Sequence, residues 1–260
     1  MKQTRISKTF SRLKASGKKA FIPYIMAGDP DIGRTRQYIS LLEECGADII
    51  ELGVPFSDPL ADGPTIQMAA ERAVAAGVTL RKVISFVREV RTQTEIPLIL
   101  MTYYNPVFKY GEEKFVSDAV DAGVDGVIIP DLPPDEAGRL IKLSRAAGLD
   151  TIFLIAPTSN DKRIKKVASA SSGFLYYVSM TGITGTKLTL EASFLDHINK
   201  VKQASKAPVA VGFGVSTPDD ARTIAGVADG VIVGSAIVKK LHEDPEGARD
   251  FIKHLREAVA

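Results

Sequence analysis

The chain has 260 residues, of which 45% are hydrophobic and 25% charged, and its formal net charge is +2. This composition is typical of a globular protein with a substantial core and argues against a disordered chain. Basic residues form no block, so the charge gives no reason to expect a nucleic-acid or membrane-surface partner. The single cysteine, Cys45, cannot form an internal disulfide, and we expect a reducing, cytoplasmic location.

The first predicted element is a helix close to the amino terminus. Ile6, Phe10 and Leu13 recur at helical spacing, with polar residues between them. We expect this helix to precede the first strand and to lie over one end of the fold.

Eight short apolar runs follow along the chain, and each is continuous rather than alternating. Continuous runs indicate strands that are buried on both faces, as in parallel sheets. The runs cover residues 20–26, 48–54, 97–104, 125–130, 151–156, 174–180, 208–214 and 230–236.

Helical patterns separate many of these runs, and several of them end in glycine just before the next run. Strands that alternate with helices at about thirty residues predict parallel βαβ units. Eight units in this length predict an α/β fold, a (β/α)₈ TIM barrel with an additional N-terminal helix. No linker-like segment interrupts the pattern, so we expect a single domain over residues 1–260. An open doubly wound sheet is the alternative.

The stretch ELGVPFSDPLADGPTIQ, residues 51–67, joins the second run to a helix that we predict to begin near Thr65. Glu51 lies inside an apolar strand, where a carboxylate is costly unless it is paired, hydrogen-bonded or neutral. It is therefore either a functional group or a structural glutamate that a neighbour satisfies. Asp58 and Asp62 are weaker signals, because aspartate in such a loop commonly forms an Asx turn or caps the next helix.

Three glycine clusters, SMTGITGTK, VGFGVSTPDDA and VGSAIVKKL, follow or end the last three runs. In a barrel these loops meet at one end, where backbone amides and a short helix beginning at Ser235 could bind phosphate. The alternative is that the glycines only form tight turns.

Metal-ion and Schiff-base chemistry find little support in the sequence. His197, His242 and His254 all fall in predicted helices, away from the strand ends where a metal cluster would form. No lysine lies within a predicted strand or at its immediate end, which argues against an imine-forming aldolase.

The 51–67 stretch resembles the signature of the tryptophan synthase α subunit family. The similarity continues through PYIMAGDP, MTYYNPVF, VSMTGITG, VGFGVS and VGSAIV. The resemblance implies a carbon–carbon lyase of tryptophan biosynthesis, which cleaves indole-3-glycerol phosphate reversibly to indole and glyceraldehyde 3-phosphate. It implies no metal or cofactor in this subunit, and transfer of indole to a β subunit that carries pyridoxal phosphate, in an α₂β₂ heterotetramer.

The resemblance also implies roles for individual residues. Glu51 matches the catalytic glutamate, a general acid and base, and Asp62 matches the aspartate that stabilises the indole N–H. Asp58, with Pro55 in the same stiff loop, is expected to contact the β subunit. The residues expected to bind substrate and its phosphate are Phe21, Tyr176, Thr184, Gly185, Phe213, Gly214, Gly234 and Ser235.

Three other functions are weighed against this one. A stand-alone indole-3-glycerol phosphate lyase would use the same carboxylates but release free indole. A phosphosugar epimerase or isomerase on a similar barrel would need metal ligands or a catalytic pair that the sequence lacks. A noncatalytic phosphate-binding protein would keep the glycine loops without needing Glu51 and Asp62 together.

Overall fold

The computed structural model describes residues 3–178, 192–212 and 214–260. Helix α1 (Arg5–Ala15) begins the fold, and the Thr4 side chain caps it by accepting the Ser7 amide. The helix buries its own residues Ile6, Phe10 and Leu13, which confirms the predicted amino-terminal helix.

The described residues contain nine strand segments in one parallel sheet, with the order β5-β4-β3-β2-β1-β9-β8-β7-β6. The segments are β1 (Ala20–Met26), β2 (Ile50–Gly53), β3 (Leu98–Met101), β4 (Gly126–Ile128), β5 (Asp150–Ile152), β6 (Leu154–Ile155), β7 (Leu175–Val178), β8 (Val209–Gly212) and β9 (Gly230–Val233). All eight predicted runs contain strand, and the fifth contains two segments that are interrupted at Phe153.

This interruption is where the sheet closes into a barrel. β5 pairs with β4, and β6 pairs with β7 on the other side. The Phe153 carbonyl accepts the Tyr176 amide at 3.2 Å, so the interrupted strand keeps contact with β7. The TIM-barrel prediction is confirmed, and the open sheet is excluded.

Helices follow the strands and cover the sheet. They are α2 (Ile32–Glu44), α3 (Pro64–Ala75), α4 (Leu80–Val90), α5 (Tyr104–Tyr110), α6 (Glu112–Ala122), α7 (Gly138–Ala147), α8 (Asp161–Ala170), α9 (Ala192–Ala204), α10 (Pro218–Ala225), α11 (Ser235–Glu243) and α12 (Ala248–Val259). Glycines at 123 and 148 end α6 and α7 in the left-handed conformation, as the sequence predicts. Across the described ranges, no helix is long and apolar enough to cross a membrane.

Alternation along the strands divides the core into two clusters. Ile22 of β1, Ile99 of β3 and Ile128 of β4 point into the barrel, where they meet Ile6 of α1. The residues between them, such as Leu100, face the surrounding helices. Helix α1 therefore fills one end of the barrel and leaves chemistry to the other.

Three aspartates, Asp48, Asp125 and Asp229, tie the strands together at the end that α1 covers. Each precedes a strand and accepts the amide N–H of a residue at the start of a neighbouring strand, and each is paired with a cation. The amide donors are Phe21 at 3.0 Å, Leu98 at 2.9 Å and Val209 at 2.9 Å, and the cations include Arg256 at 3.4 Å, Arg91 at 2.5 Å and Lys202 at 3.3 Å. These contacts hold the strand starts in register and satisfy buried polar groups.

Candidate active site

Glu51 lies on the inner face of β2, fully buried, between Tyr24 of β1 and Ile99 of β3. Neither carboxyl oxygen has a hydrogen-bond partner among the described residues. Burial without a partner disfavours the charged form and raises the pKa of Glu51 to about 8. The side chain is therefore mostly protonated at neutral pH and can act as an acid.

Two tyrosines share the inner face with Glu51, and each rests over a glycine. A Cβ atom at Gly53 would lie 2.0 Å from the Tyr24 hydroxyl, and one at Gly212 would lie 2.5 Å from the Tyr176 hydroxyl. Glycine is required at both positions because any side chain would displace a tyrosine. Burial is the main cause that raises the pKa of both tyrosines well above the ordinary value, so both hydroxyls stay protonated.

Asp62 lies in the loop after β2, half-buried at the opposite end of the barrel from α1. The Tyr103 hydroxyl donates to its carboxylate and accepts the Ala61 amide at 3.0 Å. Burial raises the pKa of Asp62, and the Tyr103 hydrogen bond opposes that effect. The residue does not cap α3, because Gly63 occupies the cap position without a side-chain hydrogen bond. Its carboxylate is thus held by Tyr103 and is not committed to the start of α3.

The two acids are brought to one site. The pKa of Tyr24 is raised by burial and then by the charges of Asp62 and Glu51, in that order. The pKa of Tyr176 is raised by burial, then by the charge of Glu51 and, more weakly, by that of Asp62. A carboxyl group in the barrel wall and a second in the loop above it therefore both act on the pKa of the same pair of tyrosines.

The predicted phosphate end is only partly described. Helix α11 begins at Ser235, as expected, and its cap residue Gly234 makes no side-chain hydrogen bond. By contrast, Thr217 and Asp220 form a capping box at the start of α10. The exposed Gly214 has a φ of 78°. Thr184, Gly185 and Phe213 lie outside the described residues.

Phe21, which we expect to bind substrate, does not face the barrel interior, because side chains alternate along β1. Ala20 and Ile22 face the barrel interior, so Phe21 faces the helices, at the start of the strand. Tyr24, two residues beyond Ile22, occupies the inner position beside Glu51. Extended along the run, the same alternation predicts from the sequence that Tyr24 faces the barrel interior.

Pro55 and Asp58, the expected partner contacts, differ in exposure. Pro55 is buried and Asp58 is exposed. Next to them lies a cavity of about 300 Å³, and Leu60 at its edge is 85% exposed. The cavity is lined by Phe56, Asp58, Leu60, Ala61, Tyr103, Asn105, Pro130 and Asp131. Tyr103 thus touches both this cavity and Asp62.

The histidines lie on helices, as predicted. His197 of α9 joins Tyr177 through Nδ1 at 3.0 Å and the Ser159 carbonyl through Nε2 at 2.9 Å, so it is a packing residue. His242 and His254 lie in α11 and α12. No group of three or more histidine, cysteine or acidic residues that could hold a metal occurs within the part of the chain described.

Residues 10–260 match the family model for the tryptophan synthase alpha chain. The chain is 51% identical to the tryptophan synthase alpha chain of Geobacter sulfurreducens over 261 residues, covering 98% of this chain and 99% of that one. It is 54% identical to the protein of the same name from Geotalea daltonii over 239 residues, covering 92% and 90%.

Solved structures agree with these matches. Tryptophan synthase subunit alpha from Legionella pneumophila superposes with a TM-score of 0.92 at 40% identity, covering 99% of both chains. A chain of Mycobacterium tuberculosis tryptophan synthase in its aminoacrylate-bound form superposes with a TM-score of 0.90 at 38% identity, covering 99% of this chain and 100% of that one.

Proposed function

This chain belongs to the tryptophan synthase alpha chain family, and we propose that Glu51 and Asp62 carry out its reaction. The chain is a carbon–carbon lyase that cleaves indole-3-glycerol phosphate to indole and glyceraldehyde 3-phosphate. The observation that carries the assignment is the buried, unpartnered carboxyl group of Glu51, which is kept protonated near neutral pH.

Bond cleavage needs an acid first, because an indole ring carbon is a poor leaving centre. Glu51 gives its proton to ring carbon 3, which makes the ring an iminium-like cation. The electrons of the bond between that carbon and the glycerol chain then move into the ring and restore its aromaticity. The side-chain hydroxyl proton passes to the Glu51 carboxylate as the aldehyde forms, so the acid is regenerated.

Asp62 stabilises the charge that develops at the ring nitrogen. Its carboxylate accepts the indole N–H, and Tyr103 orients that carboxylate by donating a hydrogen bond to it. The substrate becomes its own electron sink once protonated, so this mechanism requires neither a metal, a lysine imine nor an organic cofactor in this subunit.

The phosphate of the substrate is proposed to bind at the start of α11. The backbone there begins at Gly234 and Ser235, and the positive end of the helix favours an anion. Gly214, Thr184, Gly185 and Phe213 complete the proposed substrate contacts, together with Tyr176, which lies beside Glu51.

The proposed assembly is an α₂β₂ heterotetramer in the cytoplasm, in which the β subunit holds pyridoxal phosphate and receives the indole. The exposed Asp58 and the cavity beside it support a partner surface on the loop after β2. Pro55 is proposed to act by stiffening that loop from a buried position. Residues 1–260 are proposed to form one domain.

The decisive assay measures indole released from indole-3-glycerol phosphate by the purified chain, alone and with its β subunit. We expect release in both cases, and faster turnover in the complex. Absence of indole under both conditions would refute the activity, and turnover that the β subunit does not change would favour the stand-alone lyase.

A further inference from the structure

The Tyr24 hydroxyl lies over β2, the strand that carries Glu51. Tyr24 stands opposite Glu51 in the pairing of β1 with β2, and its ring leans across β2 until the hydroxyl covers Gly53. Gly53 is the next inward-facing residue after Glu51 on the same strand. The absence of a side chain at that position is what makes room for the hydroxyl.

Glu51 needs a donor at one stage of the reaction. Once it has given up its proton, it is a buried carboxylate, and its oxygens have no partner among the described residues. An unpaired buried carboxylate is costly, so a donor that meets it would lower the energy of the charged intermediate.

The described titratable groups around this point narrow the choice of donor. Asp62 offers only acceptor oxygens when ionised, and Tyr103 is already engaged with Asp62 and Ala61. The Tyr176 hydroxyl covers Gly212 of β8, a strand that β9 and β1 separate from β2. Tyr24 is the tyrosine whose hydroxyl lies over the strand that carries Glu51.

The Glu51 carboxylate can come within hydrogen-bonding distance of the Tyr24 hydroxyl. Residues two apart on a strand are separated by about 7 Å, and the Glu51 side chain extends along part of that distance. A rotation of this side chain toward Gly53 would bring its carboxylate to the Tyr24 hydroxyl.

We propose that Tyr24 is a positioning residue whose hydroxyl donates a hydrogen bond to the Glu51 carboxylate during proton transfer. The inference rests on the proposed role of Glu51. Tyr24 is then a third polar group beside the two acids. Gly53 serves the reaction because a side chain there would displace the Tyr24 hydroxyl.

The test is the pH dependence of indole release by Tyr24→Phe in the complex with the β subunit. Removing the donor should lower kcat about tenfold, as expected for one hydrogen bond to a charged group, and leave KM within about twofold. Because the active form of Glu51 is protonated, activity falls above its pKa. Loss of a donor to the carboxylate should therefore move this alkaline limb to higher pH.

Three further variants make the outcome specific. Tyr38→Phe removes a hydroxyl that reaches the Leu241 carbonyl on the outer side of the barrel, and should keep wild-type kinetics. Unchanged kcat and an unmoved limb in Tyr24→Phe would overturn the inference. So would a limb shift in Tyr176→Phe that Tyr24→Phe does not show. Glu51→Gln, measured in parallel, tests the proposed function separately, since near-normal turnover there would reject Glu51 itself.

Discussion

Tyr103 holds Asp62 from the end of β3, because its hydroxyl bonds both the Asp62 carboxylate and the backbone amide of Ala61. One side chain from the segment just after the third strand thus fixes the loop that follows the second. This contact gives a loop aspartate a defined position.

Asp62→Asn should lower kcat by about two orders of magnitude or more, because the amide carries no charge to stabilise the developing indole cation. The fold should be unchanged by circular dichroism. The exposed Asp121 on α6 supplies a matched control, and Asp121→Asn should retain wild-type turnover. Equal kinetics for the two variants would remove Asp62 from the mechanism.

Glu51→Gln should abolish measurable cleavage while the substrate still binds, because the amide neither donates an acidic proton nor accepts one. General acid and base catalysis is worth about 10² to 10⁴ in rate, and this residue performs both transfers. Steady-state indole release and calorimetric binding provide the two measurements. The exposed Glu113, changed to Gln, is the control. Failure of Glu51→Gln to bind substrate would indicate a structural role instead.

The same variant should alter how stability depends on pH. The pKa of Glu51 is raised from its ordinary 4.5 to about 8. Between these values the unfolded chain ionises while the folded chain keeps its proton, so the free energy of unfolding falls as pH rises. At about 1.4 kcal/mol per pKa unit, the loss is on the order of 5 kcal/mol above pH 8.

Urea unfolding of the wild type and Glu51→Gln at pH 5 and pH 8.5 measures this difference. Relative to the wild type, the variant should be more stable at the higher pH than at the lower one. A constant difference between the two proteins would show that Glu51 ionises normally in the folded chain.

Gly53→Ala should disturb Tyr24, since the added methyl group would lie 2.0 Å from its hydroxyl. We expect at least a tenfold loss of turnover, with a destabilisation of about 1 to 3 kcal/mol from overpacking. Gly63→Ala, where the new atom meets nothing within 4 Å, is the matched control in the following loop. Wild-type kinetics in Gly53→Ala would mean that Tyr24 can move without consequence.

Arg91→Met should destabilise the fold by about 3 to 5 kcal/mol, because it leaves Asp125 buried beside fewer cations. Arg91 donates to Asp125 at 2.5 Å and also to backbone carbonyls of Gly123 and Ile96. Arg88→Met, on the exposed side of α4, the helix that ends just before Arg91, should change stability by less than about 0.5 kcal/mol. Urea midpoints that match between the two variants would contradict this account.

The sequence predicted the barrel well because continuous apolar runs and glycine-ended helices carry that information locally. It placed α1, the start of α11 and the helical histidines correctly for the same reason. The inward face of a strand is different, since it depends on which alternate set meets the other strands. The apolar run alone therefore does not distinguish Phe21 from Tyr24, the β1 residue beside Glu51.

The contacts that cross between elements were also hidden. No residue close to Asp62 in the chain predicts its contact with Tyr103, because Tyr103 follows the next strand. The interruption at Phe153 arises because β5 pairs with β4 and β6 pairs with β7 where the barrel closes. Neither feature can be read from spacing, because each depends on residues brought together only by the complete fold.

The aspartate that precedes β2 has a consequence far from its own position. Asp48 anchors its strand to the start of β1 through the Phe21 amide. If β2 slid by a single residue, that anchor would be lost, and Glu51 would exchange its place inside the barrel for one among the helices. Asp48, at the end of the barrel that α1 covers, thus determines that Glu51 faces the barrel interior.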